Sequence, residues 1–331
     1  MKDLRNILVV IDPTAKEHPA LERARWLAEK TRASIELFIC DYDQNLAAAR
    51  LFDTPSLRKA HADVVLRDVQ RLRKLAQTFN DQGIDVAIDV AWDHPLHDGI
   101  IRKVAKARPD LVLKDTHYHQ LIRRSLFSNT DWNVIRACPA PLMLVKPASK
   151  GAIKTIIAAV DPVHDRDKPA ELDHRIITAA QRLAALANGD LHVVHAFDPA
   201  PAYAVSADAM SFPIAEPIDQ VKQGLKLRHT KALDALLASY AIPAQRIHLG
   251  EGGTREVLIA SIEELHADIV VMGAVARGAI QRMLLGSTAE LILDHVPCDL
   301  LIIKPEPAKK RARSAKKPAK KPTTKKKTRR R

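Results

Sequence analysis

The sequence predicts an α/β protein made of two tandem copies of one doubly wound domain, each a five-stranded parallel sheet of order 3-2-1-4-5 with helices on both faces. Three observations predict it. At 331 residues the chain exceeds the usual size of one domain, so two is the starting expectation. The sequence also repeats itself: ILVVIDP at 7–13 returns as IIAAVDP at 156–162, PDLVLK at 109–114 as ADIVVM at 267–272, and CPAPLMLVKP at 138–147 as VPCDLLIIKP at 296–305. Finally, short apolar runs alternate with helical patterns through both halves. From Asp110 to Lys146 the match is gapless at an offset of 158, against 149 at the first run, so the second copy holds nine extra residues, placed around Pro199 to Pro217. That period is far longer than a solenoid unit and describes a duplicated domain. The expected divisions are residues 1–148, residues 152–305 and a tail, 306–331.

In copy one the pattern predicts strands over Ile7–Ile11, Ile35–Ile39, Val86–Val90, Leu111–Lys114 and Leu142–Val145, with helices over Pro19–Thr31, Leu57–Asn80 and Leu96–Ala107. In copy two it predicts strands over Thr155–Val160, Leu191–His195, Arg246–Leu249, Ile269–Met272 and Leu300–Ile303, with helices over Ala170–Ala187, Asp219–Ser239 and Arg255–His266. Most of these strands are apolar on both alternating faces, as parallel strands covered from both sides must be. Asn188-Gly189 supplies a C-terminal stop for the helix before it. A β-α-β order winds right-handed. Lys114 ends an otherwise apolar strand and points to a buried or crevice-facing ion pair, with Asp12 as candidate partner.

Composition narrows the function classes. The net charge of +13 resides in the tail: 14 of the 52 basic residues lie in 309–331, which has no Asp or Glu, leaving 38 basic against 39 acidic residues elsewhere. Three cysteines, Cys40, Cys138 and Cys298, are too few and scattered for a disulfide framework or a Cys-based zinc site; Cys138 and Cys298 read as small core residues. Only five apolar residues, Ile7 to Ile11, follow the N-terminus, too few for a signal-peptide core, and no run reaches the ~20 needed to span a bilayer. A reduced cytoplasm and no membrane are the expectation.

Each copy places Asp-Pro after its first strand, at Asp12-Pro13 and Asp161-Pro162. In open α/β sheets ligands bind beyond the carboxyl ends of strands where the order reverses, here between the first and fourth strands of a copy. The fourth strand of copy two runs into Gly273-Ala274-Val275-Ala276-Arg277-Gly278, followed by Gly286-Ser287-Thr288-Ala289-Glu290. Glycine lets backbone amides approach a phosphate, and Ser287 with Glu290 has capping-box spacing at a helix start that favours an anion. Arg277 adds a charge-assisted donor. A glycine turn that only packs against its neighbours is the alternative.

These residues resemble the universal stress protein family, in its tandem E type. Its nucleotide-binding members carry Gly-x2-Gly-x9-Gly-(Ser/Thr) after the fourth strand and an Asp after the first. Gly273, Gly286 and Ser287 fall on three of the four loop positions and Asp161 matches the first-strand Asp; Ala276 replaces the middle glycine, with Gly278 two residues on. The resemblance covers nearly all of residues 1–306, with the TDW segment of copy one and LGSTAE of copy two as specific features. It implies a Rossmann-like, adenine nucleotide alpha hydrolase-like fold. It further implies ATP or a related phosphate-bearing ligand in copy two, with Asp161 on the base or ribose and Gly273, Gly286 and Ser287 holding the phosphates; Ala276, Arg277, Gly278 and Thr288 complete the candidate binding residues. The halves would pack through their fifth strands as an internal pseudo-dimer, with a homodimer of chains as a further option. The implied role is a non-catalytic stress-response protein.

In copy one the answering positions are Asp115, Tyr118, Ser128 and Asn129, a carboxylate and a bulky ring that oppose phosphate, so copy one reads as scaffold. His94, His97, His117 and His119 share a sheet edge but are read as chance clustering, with no metal, and Asp93 and Asp98 as loop and cap residues. No nucleophile elbow, Walker loop or zinc-protease helix occurs, which leaves a slow nucleotide hydrolase or phosphotransferase as the enzyme alternative. The tail's cations (Lys309, Lys310, Arg311, Arg313, Lys316, Lys317, Lys320, Lys321, Lys325, Lys326, Lys327, Arg329, Arg330 and Arg331) sit among proline and alanine, a disordered composition. It suits DNA, RNA or polyphosphate without sequence preference, since no aromatic is present to stack.

Overall fold

The computed structural model describes residues 4–43, 46, 54–116, 129–147, 151–163, 171–200, 218–274 and 296–305. The first half holds β1 (Asn6–Val10), α1 (Pro19–Thr31), β2 (Ser34–Asp41), α2 (Pro55–Asn80), β3 (Val86–Trp92), α3 (Leu96–Ala107), β4 (Leu111–Asp115), α4 (Asn129–Ala137) and β5 (Leu142–Val145). The second holds β6 (Thr155–Ala159), α5 (Glu171–Ala187), β7 (Asp190–Phe197), α6 (Ile218–Leu237), β8 (Ile247–Glu251), α7 (Thr254–Glu264), β9 (Ile269–Gly273) and β10 (Asp299–Ile303). Element ends differ from the predicted ones by one or two residues where caps decide them. Thr54 accepts the Leu57 amide and starts α2 before Leu57, and His266, at φ 48°, has already left the helical region.

All ten strands form one sheet of order β3-β2-β1-β4-β5-β10-β9-β6-β7-β8. Each half is the expected 3-2-1-4-5, parallel throughout. The halves join by the antiparallel pair β5–β10, with Leu144 opposite Leu300, Met143 opposite Leu301 and Leu142 opposite Ile302. The offset of 158 carries Met143 onto Leu301, Leu142 onto Leu300 and Leu144 onto Ile302. The seam is therefore self-complementary about the Met143–Leu301 pair, the geometry of a two-fold interface within one chain.

The alternation of side chains feeds two cores. Ile7, Val9 and Ile11 pack with α1 and α2 on one face, while Leu8 and Val10 pack with α3 and α4 on the other; each core continues across the seam into copy two. The stop after α5 is made by Asn188, at φ 51°, rather than by the glycine beside it. Gly189 serves a close approach instead: a Cβ there would lie 2.6 Å from the Lys154 carbonyl oxygen. Among the described residues no helix is long and apolar enough to cross a membrane.

Candidate functional site

In copy two β6 and β9 run side by side, with Ile156, Ile157 and Ala158 opposite Ile269, Val270 and Val271. Continued for three residues, this register brings Asp161 level with Ala274, just beyond Gly273. Asp161 and Gly273 thus lie at the same carboxyl edge, where the strand order reverses, the position predicted for them.

The peptide that presents Asp161 is held from both sides. Its carbonyl, on Val160, lies 3.1 Å from His195 Nδ1, and its amide, on Asp161, donates to Asp173 Oδ1 at 3.1 Å. A carbonyl only accepts, so His195 carries a proton on Nδ1, and its neutral Nε2 accepts from His229 Nδ1 at 2.8 Å. His195 stands on β7 and is 2% exposed. Burial pushes its pKa down; the Asp161 carboxylate opposes this, and the His229 ring adds to the lowering. Sequence reasoning missed His195 and Asp173. The available signal was HVVHAF, a strand whose apolar run is broken by two histidines.

Gly273 has a packing reason of its own. A Cβ at this position would come within 2.8 Å of Leu172 Cδ2 and 3.2 Å of Ile176 Cδ1, both on α5. The glycine admits α5 against the end of β9, which is the packing alternative weighed for it. Ala276, Arg277, Gly278, Gly286, Ser287 and Thr288 lie outside the described residues, as do Tyr118, Ser128, His117, His119 and the tail.

The matching edge of copy one is filled by its own charges. Asp115 is fully buried; its Oδ1 accepts the Ala20 amide at 2.5 Å and its Oδ2 lies 3.4 Å from His18 Nδ1, so a carboxylate occupies the N-terminal end of α1. Of the two expected placements Lys114 takes the buried one, and its ion-pair partner is Asp131, at 2.6 Å, not Asp12. Asp12 Oδ1 instead accepts from the amide and hydroxyl of Thr14, at 2.8 and 2.6 Å, closing a local turn at the strand end. Burial alone would lower the Lys114 pKa, yet the Asp131 carboxylate, helped by Asp12 and Asp115, holds it above its ordinary value.

The remaining candidates have structural partners. His94 packs on Tyr42 with ring centroids 4.3 Å apart, and His97 lies 3.6 Å from Asp98. Asp93 accepts from Arg102, which holds its carboxyl below the ordinary range. The three cysteines are buried thiols, with pKa values pushed up by burial to about 12 for Cys40 and Cys298 and about 11 for Cys138. None is poised as a nucleophile.

The model of the universal stress protein family matches the chain twice, over residues 3–146 and 152–304. The chain belongs to the universal stress protein family. Each matched stretch contains one of the five-strand sets. Universal stress protein E of Photorhabdus laumondii is 29% identical over 308 residues, which cover 92% of this chain and 96% of that protein. Universal stress protein E of Escherichia coli K12 is 30% identical over 308 residues, covering 91% of this chain and 94% of its own. A solved structure from Pseudomonas aeruginosa PAO1, described as functionally unknown, is 27% identical with a TM-score of 0.70 and covers 92% of this chain and 93% of its own. These relatives are matched across both halves, so this universal stress protein shares their tandem organisation.

Proposed function

We propose that this universal stress protein is a cytoplasmic, non-catalytic stress-response protein whose second half binds ATP or a related phosphate-bearing ligand. The ligand lies at the carboxyl edge between β6 and β9. Asp161 takes its base or ribose, and Gly273, Ala276, Arg277, Gly278, Gly286, Ser287 and Thr288 surround its phosphates. The observation that carries this reading is the held Val160–Asp161 peptide beside the end of β9, at an edge whose counterpart in copy one is occupied by Asp115 and the Lys114–Asp131 pair. Copy one completes the internal pseudo-dimer.

Calorimetric titration of ATP tests it. Asp161→Ala is expected to weaken binding at least about tenfold, the loss of roughly one good hydrogen bond, and Gly286→Arg to abolish it. His195→Asn, whose amide nitrogen replaces Nδ1 as donor to Val160, should bind nearly as wild type does, whereas His195→Leu should not. ATP recovered intact after incubation separates this reading from a hydrolase. Unchanged affinity in Asp161→Ala and Gly286→Arg defeats it.

The segregation of 14 cations in 309–331 favours a second activity, binding of DNA, RNA or polyphosphate by the tail. Deleting 306–331 should abolish duplex-DNA binding at low salt; equal retention by the deletion variant in a gel-shift assay rules it out.

A further inference from the structure

A cleft of about 550 Å³ lies on the seam between the halves, within the size range of small-molecule sites and at the kind of domain junction they favour. Three arginines line it. Arg108 comes from the first half, at the turn between α3 and β4, where its backbone is fixed at φ 50° by the bond from its amide to Val104. Arg175 and Arg182 come from the second half; seven residues apart on α5, they lie two turns apart on one face. Among the described residues the side chains of Arg108 and Arg182 have no hydrogen-bonding or ion-pair partner.

The acid present is already committed. Among the described residues Asp110 is the only carboxylate lining the cleft, and its Oδ2 accepts the amides of Arg5 and Asn6 at 2.9 and 3.0 Å. The other walls are apolar, with Pro109, Pro139 and Pro141 around buried Val104 and Ala140. Guanidinium forks match the paired oxygens of a phosphate, and proline walls match an apolar body.

We propose that this seam cleft binds a small organic phosphate, held by Arg108 of the first half and by Arg175 and Arg182 of the second. It is a site separate from the edge beside Asp161 and depends on both halves being joined. The helix that supplies two of its arginines also carries Asp173, so an anion drawn to α5 acts on the element that holds the Asp161 peptide.

The test titrates the full-length protein with phenyl phosphate and with inorganic phosphate by calorimetry in one buffer. The apolar walls predict tighter binding of phenyl phosphate by about tenfold. The tail has no aromatic, Leu, Ile, Val or Met residue to create that preference. Arg108→Glu with Arg182→Glu should remove the preference and weaken phenyl phosphate at least tenfold; both positions are exposed, and an unchanged thermal midpoint confirms the fold. Gly286→Arg should leave phenyl phosphate binding as in the wild type. The proposal is overturned if wild type shows no preference, if the double variant keeps it, or if Gly286→Arg alone abolishes it, which would assign the ligand to the edge site.

Discussion

Asp299→Ala is expected to destabilise the protein by about 3–5 kcal/mol, seen as a lowered urea midpoint by far-UV circular dichroism. Asp299 lies on β10 and is fully buried. Its Oδ2 accepts from Arg23 Nε at 2.7 Å and its Oδ1 from the Lys146 amide at 2.9 Å, so one carboxylate of the second half holds two groups of the first. Arg23 is itself 7% exposed and reaches the Gly151 carbonyl at 3.3 Å with Nη1. Removing the carboxylate strands a buried guanidinium and a buried amide together, which is why the cost exceeds that of one lost bond. The residue matched to Asp299 at the offset of 158 is Pro141, so the seam carries this bridge on one side only. Arg23→Met with Asp299→Asn keeps an acceptor for the Lys146 amide and removes both charges, and should recover most of the loss. A single Asp299→Ala within about 1 kcal/mol of wild type would show that the bridge does not hold the seam.

Asp131→Ala is expected to cost a similar ~3–5 kcal/mol, because it leaves the Lys114 ammonium buried beside Asp115 and Asp12 without its nearest counterion. The second copy supplies the control. Lys114 and Asp131 are matched by Met272 and Ala289, so the duplicated domain tolerates an apolar pair at these positions. Lys114→Met with Asp131→Ala should therefore fall within about 1.5 kcal/mol of wild type, far less than the two single changes summed. A double variant as unstable as Asp131→Ala would mean that the ion pair is not what the single change breaks.

Much of the architecture was legible in the residues because it rests on periodicity. Apolar runs of strand length between helical stretches, repeated at a long offset, leave few folds open, and the observed order of each half is the predicted one. The candidate site was legible only in part. Asp161 and Gly273 are drawn together by strand register, which a sequence repeat exposes. The bonds that hold the Asp161 peptide come from His195 and Asp173, which lie on separate elements and in no motif. Gly273 itself packs against Leu172, a contact that spacing does not reveal.

The sequence by itself determined the duplication, the parallel α/β class, the five strands of each copy and the segregation of charge into the tail, since these follow from local patterns along the chain. Only the tertiary structure decided that Lys114 pairs with Asp131 instead of Asp12, that Asp299 bridges to Arg23, and that Arg108 shares a cleft with Arg175 and Arg182. Each of these depends on distance in space between side chains on different elements. A buried charge takes the nearest counterion that packing brings to it, and packing of helices on a sheet is a property of the folded whole.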